Sequence, residues 1–223
     1  MNRSSDSVES PRPIGLTSKR VIDIILAISG IILLAPLLII CFVVTIATSP
    51  GPALFRHRRV GFNGKYFDCL KFRTMVTDAP ERLRQLLESD PVAAAEWAAN
   101  RKLRHDPRVT AIGDILRRSS LDELPQLFNV IRGDMSLVGP RPHAASHNTE
   151  YEKQISNYAF RYHMLPGITG WAQIHGLRGE TKTLDRMVER VEADLWYINN
   201  WSFLLDLKIL LRTLVLGIQS SAY

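Results

Sequence analysis

The strongest pattern in the chain is an uncharged apolar run from Ile24 to Ala47, 24 residues long. About 20 residues at roughly 1.5 Å rise each are enough to cross the hydrocarbon core of a bilayer, so the run predicts a membrane helix. A secretory signal peptide is the competing interpretation. Its apolar part would be only about 7–15 residues long and would end at a small-residue cleavage site. The length of the run and the basic sequence after it favour the membrane helix.

Two features of this run argue against a simple span. Pro36 lies in its middle, where a proline removes a helix hydrogen bond and kinks or breaks the helix. Basic residues flank both ends: Lys19 and Arg20 before the run, and Arg56, Arg58 and Arg59 after it. Because positively charged flanks stay in the cytoplasm, we expect a re-entrant helix that breaks at Pro36 and returns to the same face. A kinked transmembrane helix is the alternative. Asp23 is expected at the interface, paired with Lys19 or Arg20.

The remaining sequence predicts a helix-dominated α/β fold. Residues 65–75, KYFDCLKFRTM, mix β-forming residues with alternating charges and predict a strand. Helical patterns cover residues 79–104 as two helices, and then residues 109–120, 124–134, 144–164 and 181–200. Residues 166–181 predict a glycine-rich loop with a short strand.

The C-terminal stretch, residues 194–218, differs from the first apolar run. Charges interrupt it, and Trp196, Tyr197 and Trp201 cluster at its start. Aromatic residues with spaced charges are typical of amphipathic helices that lie in a membrane interface. An ordinary core helix with a charged outer stripe explains the pattern equally well.

Composition and charge narrow the choice of partner only partly. The 223-residue chain has 28 Lys and Arg against 22 Asp and Glu, a net charge of +6. This balance favours an anionic partner: lipid, nucleic acid or a phosphorylated substrate. Cys41 and Cys69 show neither metal-site spacing nor a disulfide framework, so we interpret both as packing residues in a reducing compartment.

Residues 119–142, SSLDELPQLFNVIRGDMSLVGPRP, place two acids side by side before an apolar run. Asp122 and Glu123 fit a helix start, with Ser120 as the N-cap and Glu123 in a capping box. That register, however, puts Pro125 at the fifth helical position, where its missing N–H costs a hydrogen bond. A helix that starts at Asp122 or later tolerates the proline in its first turn. The acids then lie at the mouth of the helix.

This position has chemical consequences. An ionised carboxylate can attack phosphorus, and a neighbouring carboxylate can hold a divalent cation. Phosphoryl transfer also needs cations to offset charge on the transferred group. Basic residues are abundant nearby in the sequence: Lys71, Arg73, Arg117, Arg118, Arg132 and Arg141. The pattern favours a phosphoryl-transfer site, and a helix cap remains the alternative.

Five stretches resemble, in order, the motifs of one known family, and together they cover most of residues 19–213. They are KRVIDI, SPGPALFRHRRVGFNGKYFDCLKFRTM, DPRVTAIGDILRRSSLDELPQLFNVIRGDMSLVGPRP, YHMLPGITGWAQIHGLRG and DLWYINNWSFLLDLKIL. The chain thereby resembles the bacterial sugar transferases, which are monotopic phosphoglycosyl transferases acting on polyprenyl phosphate. In PHAASHN and GLRGETKT it is similar to the branch that transfers glucose 1-phosphate.

The resemblance implies roles for the candidate site residues. Asp122 matches the nucleophile that attacks the sugar-linked phosphate of a UDP-sugar, releases UMP and passes the phosphosugar to undecaprenyl phosphate. Glu123 matches the magnesium ligand, which makes Mg²⁺ the expected cofactor. Arg117 and Arg141 match arginines near the phosphates. Weaker candidates for the same role are Lys71 and Arg73, because cations at a strand end are often structural.

The family also implies an organisation for the chain. We expect a disordered tail at residues 1–18, a re-entrant membrane helix at 19–50 and a transferase domain at 51–218 on the cytoplasmic face of the bacterial inner membrane. The chain resembles the short form, which lacks the extra transmembrane helices of larger relatives. Ala35 stands where the family usually has a serine before the proline. A homodimer is compatible with the family, and the implied pathway is exopolysaccharide or other glycoconjugate synthesis.

Several alternatives remain open at this stage. Galactose is the main rival to glucose, and N-acetylated amino sugars come third. A non-catalytic anchor that binds anionic lipid explains the charge but not the acids among arginines. A nucleic-acid binder is disfavoured, since the chain shows no basic stretch interleaved with aromatics. His143 and His147 would share a helix face at zinc-site spacing, but no third ligand is evident, and we favour a polar or substrate-facing role.

Overall fold

The computed structural model describes residues 16–100, 102–179 and 183–219. Its elements, in chain order, are the helices α1 (Leu16–Thr48), α2 (Ala79–Ser89), α3 (Pro91–Asn100), α4 (Ala111–Arg118), α5 (Gln126–Arg132), α6 (Ala145–Gln154), α7 (Trp171–Ile174), α8 (Leu184–Asn199) and α9 (Phe203–Gln219), and the strands β1 (Leu54–Val60), β2 (Tyr66–Phe72), β3 (Ser136–Val138) and β4 (Gly167–Thr169). The helix-dominated α/β fold that the sequence predicts is confirmed. Residues 1–15, most of the predicted tail, lie outside the described residues.

The long helix α1 is apolar enough and long enough to cross a membrane, as the sequence predicts. Helical backbone continues through Pro36, so the predicted break does not appear as an end of the helix. The proline removes only one hydrogen bond from a 33-residue helix, and tertiary contacts hold the helix on both sides of it. The helix begins at Leu16, within the stretch that we predicted as tail.

Polar side chains fasten the N-terminal end of α1 to the rest of the protein. Lys19 forms an ion pair of 2.5 Å with Asp206 of α9. Asp23 accepts hydrogen bonds from the Ser136 hydroxyl at 2.7 Å and from the backbone N–H of Leu137 at 3.1 Å. Arg20 instead donates to backbone carbonyls at the end of α5, those of Val130, Ile131 and Met135. The expected contact of Asp23 with Lys19 or Arg20 is therefore replaced by contacts with distant parts of the chain.

The C-terminal end of α1 packs on the same body. Cys41 is buried in a cluster with Phe72 of β2 and Leu116 of α4. Between the two ends one face of the helix stays packed on this body, while the other face is open: Ile32 is 70% exposed and Leu33 is 79% exposed. Helix α1 therefore contacts one globular unit along its length, while its other face presents large apolar side chains outward.

Two small sheets organise the rest. β1 and β2 form an antiparallel hairpin in which Leu54 lies opposite Phe72 and Val60 opposite Tyr66. β3 and β4 pair in parallel, and backbones approach closely there: a Cβ added at Gly167 would lie 2.1 Å from the backbone nitrogen of Gly139. Only glycine fits that crossing. The strand predicted at residues 65–75 is confirmed as β2, whereas its partner β1 was not predicted.

The C-terminal helices close the main core. Val138 of β3 and Met164 pack against Tyr197 of α8 and Ile209 of α9. Helix α9 buries Asp206 and Ile209 but exposes large apolar side chains on its other side: Phe203, Leu204, Leu207, Leu211, Leu214 and Val215. Its outer surface is thus largely apolar with interspersed charges, not the charged stripe of an ordinary core helix.

Candidate active site

The two adjacent acids lie in the short connection between α4 and α5. Leu121–Glu123 form one turn of 3-10 helix, and Pro125 precedes the first residue of α5. The capping-box alternative is wrong, because Ser120 has left-handed backbone torsions (φ 58°) and its side chain caps no N–H. Its hydroxyl instead accepts a hydrogen bond of 2.7 Å from Arg178. The acids therefore stand before the helix, as the position of the proline predicts.

Two cationic side chains meet at these acids. Lys71 Nζ lies 2.7 Å from Glu123 Oε1 and 3.6 Å from Asp122 Oδ2, so it bridges the pair. Arg141 holds Glu123 from the other side, with nitrogen–oxygen distances of 2.5 and 3.2 Å to its two carboxylate oxygens. The Asp122 residue is 8% exposed. The structure thus brings together Asp122, Glu123, Lys71 and Arg141 from three separate parts of the sequence.

The two acids differ in their ionisation. Burial raises the pKa of Asp122 above its ordinary value; Lys71 opposes this shift and the neighbouring charge of Glu123 adds to it. Burial also acts to raise the pKa of Glu123, but Arg141 and Lys71 outweigh it and hold that pKa well below its usual range. Glu123 is therefore a permanent anion near neutral pH. Asp122 is the acid that takes up a proton first as the pH falls.

The other predicted cations separate into two environments. The Arg117 Nε donates to the Thr74 hydroxyl at 2.8 Å, and the positive charge of Arg117 helps to lower the pKa of Asp122. Arg73 is not brought to the acids. It donates to the backbone carbonyls of Ser49 at 2.5 Å and Pro50 at 2.6 Å, at the exit of α1. The reason is that β2 ends at Phe72, so the alternation that directs Lys71 toward the acids does not extend to Arg73.

The acid pair has a donor set that suits Mg²⁺. This ion is commonly held by one or two carboxylates, while waters and substrate phosphates complete its six oxygens. Within the described ranges no cluster of three or more metal-ligating side chains forms a complete protein cage. Glu123 and Asp122 fit a site of the first kind, in which the substrate supplies the missing oxygens. Because both oxygens of Glu123 contact Arg141, binding of an ion requires this arginine to shift or to share the carboxylate.

A second charged group, not predicted from the sequence, supports Arg141 from behind. Arg161 donates to the backbone carbonyl of Arg141 at 2.6 Å and pairs with Asp194 of α8 at 2.9 Å. His143 lies beside them, with its Nδ1 2.6 Å from the Tyr158 hydroxyl. Burial, together with the charge of Arg161, lowers the pKa of His143 well below its usual value. His143 is therefore a neutral buried side chain, while the side chain of His147 lies outside the described residues.

Comparisons with known proteins place the sequence in one family. A family model described as bacterial sugar transferase matches residues 14–220. A UDP-glucose:undecaprenyl-phosphate glucose-1-phosphate transferase of Caulobacter vibrioides is 49% identical over 87% of this chain and 67% of that protein. A protein of the same name from Escherichia coli is 45% identical over 92% of this chain and 41% of that protein. An undecaprenyl-phosphate galactose phosphotransferase of Salmonella typhimurium is 43% identical over 87% of this chain and 39% of that protein.

The matched region covers most of this chain but a smaller share of the length of some relatives. The chain spans about two fifths of the length of the Escherichia coli and Salmonella typhimurium proteins. It covers two thirds of the Caulobacter vibrioides protein, and the family model covers nearly all the described residues. The acid turn, the hairpin and the Pro-Arg-Pro segment all fall inside the matched region. The chain belongs to the bacterial sugar transferase family.

Proposed function

We propose that the protein transfers a sugar 1-phosphate from a UDP-sugar to undecaprenyl phosphate and releases UMP. The observation that carries this proposal is the buried Asp122 beside Glu123, with Lys71 and Arg141 at contact distance. A nucleophile toward phosphorus needs an ionisable oxygen in a cationic, partly desolvated site. This acid turn provides one, and a simple lipid-binding anchor would have no use for it.

The proposed reaction consists of two displacements at one phosphorus atom. An Asp122 carboxylate oxygen attacks the sugar-linked phosphorus, and a new oxygen–phosphorus bond forms as the phosphoanhydride bond to UMP breaks. The bonding electron pair leaves with UMP. Lys71, Arg141 and Arg117 offset the negative charge on the phosphate oxygens. An oxygen of undecaprenyl phosphate then attacks the same phosphorus and returns the electron pair to Asp122.

Glu123 has a separate task in this scheme. Its low pKa keeps it anionic, and it fixes Lys71 and Arg141 next to Asp122. Together with phosphate oxygens it would hold Mg²⁺, which when bound neutralises phosphate charge. Glutamine at position 123 would keep the shape of the side chain and remove its charge. We expect Glu123→Gln to raise the magnesium concentration needed for half-maximal activity, measured by magnesium titration of UMP release.

The packing of α1 supports a monotopic topology. A helix of 33 residues is roughly 50 Å long, and a spanning helix would carry its two ends to opposite sides of the membrane. Here both ends contact one globular unit, through Lys19 and Asp23 at the start and Cys41 near the end. We infer that the exposed apolar face of α1 enters the bilayer and that both ends stay on the cytoplasmic side.

Labelling tests this topology. The native cysteines Cys41 and Cys69 are buried, so an introduced cysteine is the preferred target for a membrane-impermeant thiol reagent. We expect Ser10→Cys and Lys65→Cys to react only from the cytoplasmic side of membrane vesicles. Reaction of the two positions from opposite sides would establish a spanning helix.

The apolar surface of α9 supports further contact with lipid. Its exposed leucines and Phe203 lie on a helix whose Lys19–Asp206 ion pair ties it to α1. A helix with large exposed apolar residues and scattered charges is typical of the membrane interface. We infer that α9 lies in the plane of the same membrane face that α1 enters.

The donor is proposed to be UDP-glucose, after the relatives named for that substrate, with UDP-galactose as the second candidate. Purified protein in detergent with Mg²⁺ would be tested for UMP release from UDP-glucose, UDP-galactose and UDP-N-acetylglucosamine, with and without undecaprenyl phosphate. Turnover that depends on the lipid and on one sugar would establish reaction and donor. No release from folded protein with any donor would favour the non-catalytic anchor.

A further inference from the structure

The face of the β1–β2 hairpin that carries Lys71 also carries an arginine and a histidine of β1. Residues opposite each other in an antiparallel pair lie on the same face, as do residues two positions apart. Arg59 lies opposite Phe67, and His57 lies opposite Cys69. Cys69 and Lys71 are two residues apart in β2. Arg59 and His57 therefore share the face from which Lys71 reaches both acids.

The end of β1 also meets the segment that carries Arg141. Arg59 forms an isolated antiparallel bridge with Ala144, three residues beyond Arg141. The next two residues, Val60 and Gly61, line the same small cavity as Arg141. Arg59 is thus placed between two structural units that each deliver a cation to the acid pair.

The charge of Arg59 is compensated differently from that of its neighbours. Arg141 pairs with Glu123, and the buried Arg161 pairs with Asp194. The half-buried Arg59 forms no such ion pair in the described part of the chain; its side-chain hydrogen bond is to the His57 ring, at 3.1 Å. Burial lowers the pKa of Arg59 from its ordinary value; the charge of Arg141 adds to this shift, and that of Glu123 opposes it. A partly buried cation without an ion-pair partner costs folding free energy, and a bound anion offsets that cost.

We propose that Arg59 is a further phosphate-binding residue of this site, on the same face of the hairpin as Lys71 and beside the segment that carries Arg141. A guanidinium can donate hydrogen bonds to two phosphate oxygens at once. The backbone of Arg59 is already fixed by its strand. The inference rests on the proposed function for the source of the phosphate. The donor diphosphate and the phosphate of undecaprenyl phosphate share the required chemistry.

The test compares Arg59→Gln and Arg59→Lys with Arg58→Gln. Arg58 is the matched control, because it is the adjacent arginine of the same strand, is exposed and stacks on Tyr66 on the opposite face. Binding of UDP-glucose and of inorganic pyrophosphate is measured by calorimetry on Asp122→Asn protein, which removes turnover. The KM for undecaprenyl phosphate is measured on protein with Asp122 intact.

We expect Arg59→Gln to weaken the binding of one of these ligands by roughly tenfold or more, because a charge-assisted hydrogen bond is lost. A change in UDP-glucose and pyrophosphate binding assigns Arg59 to the donor, and a change in the lipid KM assigns it to the acceptor. Arg59→Lys should recover part of the loss, and it provides the test if the glutamine variant fails to fold. Arg58→Gln should change neither value by more than about twofold.

Three results separate the two proposals. Unchanged donor binding and unchanged lipid KM in both Arg59 variants would overturn the role of Arg59, and so would an equal loss in Arg58→Gln. If Asp122→Asn protein with Arg59 intact binds neither UDP-glucose nor pyrophosphate and Arg59→Gln leaves the lipid KM unchanged, the phosphate site itself is refuted. Binding without any UMP release by protein with Asp122 intact would overturn the proposed function, while the binding comparison still decides the role of Arg59.

Discussion

Two buried charge clusters in this protein have opposite character. At the Arg161–Asp194 pair one cation meets one acid, and each residue is at most 4% exposed. At the acid turn the pairing is uneven: Arg141 and Lys71 both contact Glu123 closely, whereas Lys71 lies 3.6 Å from Asp122. A matched and sealed pair fixes structure. An acid that lacks a close cation of its own, beside cations that are only partly buried, has chemistry available to it.

The difference also appears in how the clusters are connected. Arg161 links helix α8 to the backbone of Arg141, and the side chain of Arg141 then reaches Glu123. The sealed pair therefore acts as a support for the reactive one. Loss of the support should affect stability first, and loss of the reactive acid should affect chemistry alone. This contrast can be tested residue by residue.

The largest effect is expected from Asp122→Asn. The amide cannot form the proposed bond to phosphorus, so we expect transfer to fall by at least about a thousandfold. UMP release measures this loss, and thermal unfolding in detergent should show a fold as stable as that of the parent protein. Substantial residual turnover would refute the role of Asp122 as the nucleophile.

Asp194→Asn should act on the other cluster. It leaves the buried charge of Arg161 without its acid, which typically costs about 3–5 kcal/mol of unfolding free energy. Glu189→Gln is the matched control, because Glu189 lies on the same helix but forms an exposed pair with Arg186 and should contribute only about 0–1 kcal/mol. Denaturant unfolding monitored by tryptophan fluorescence compares them. Equal stability losses in the two variants would remove the distinction between the clusters.

The pH dependence of the reaction should report the raised pKa of Asp122. The attacking form is the carboxylate, so activity is lost as the pH falls through this pKa. Lys71 lowers that pKa. Lys71→Met should therefore raise it further and move the acid limb of kcat/KM to higher pH. Arg118→Gln is the control. It changes an exposed arginine, near the acids in the sequence, that pairs with Asp114, and it should leave the acid limb in place. An acid limb that stays in place or moves to lower pH in Lys71→Met would contradict the assignment.

The smallest effect is expected from Tyr158→Phe. The hydroxyl contacts His143 and donates to Asn148 at 2.6 Å, both in the supporting cluster. Its removal should destabilise the fold by about 1 kcal/mol, and kcat should stay close to that of the parent protein. A large loss of kcat without a loss of stability would place Tyr158 in the reaction rather than in its support.

The features that the sequence predicts correctly are those set by residues close together in the chain. The apolar run predicts α1, Pro125 predicts that the acids precede α5, and Gly133 ends that helix in a left-handed conformation, near the predicted end. β1 was missed because LFRHRRV has three arginines and follows a turn-forming segment. Its strand character comes from pairing with β2, which a local pattern does not show.

The remaining differences come from contacts between distant residues. Asp194 has the sequence context of an interfacial charge, yet its partner Arg161 lies 33 residues away and buries it. Asp23 and Lys19 have partners more than 100 residues away. Arg73 follows Lys71 by two positions but binds the exit of α1 instead. Sequence pattern identified these residues as charged and important, but only the fold determines which of them meet.

The most direct test of the central claim is to look for the covalent intermediate. Protein is incubated with UDP-glucose and Mg²⁺ without undecaprenyl phosphate, and intact and peptide mass spectrometry follow. The account predicts an added hexose phosphate on Asp122, formed with release of one UMP and lost when the lipid is added; Asp122→Asn protein should show none. UMP release that requires both substrates together, with no adduct at any residue, would contradict it.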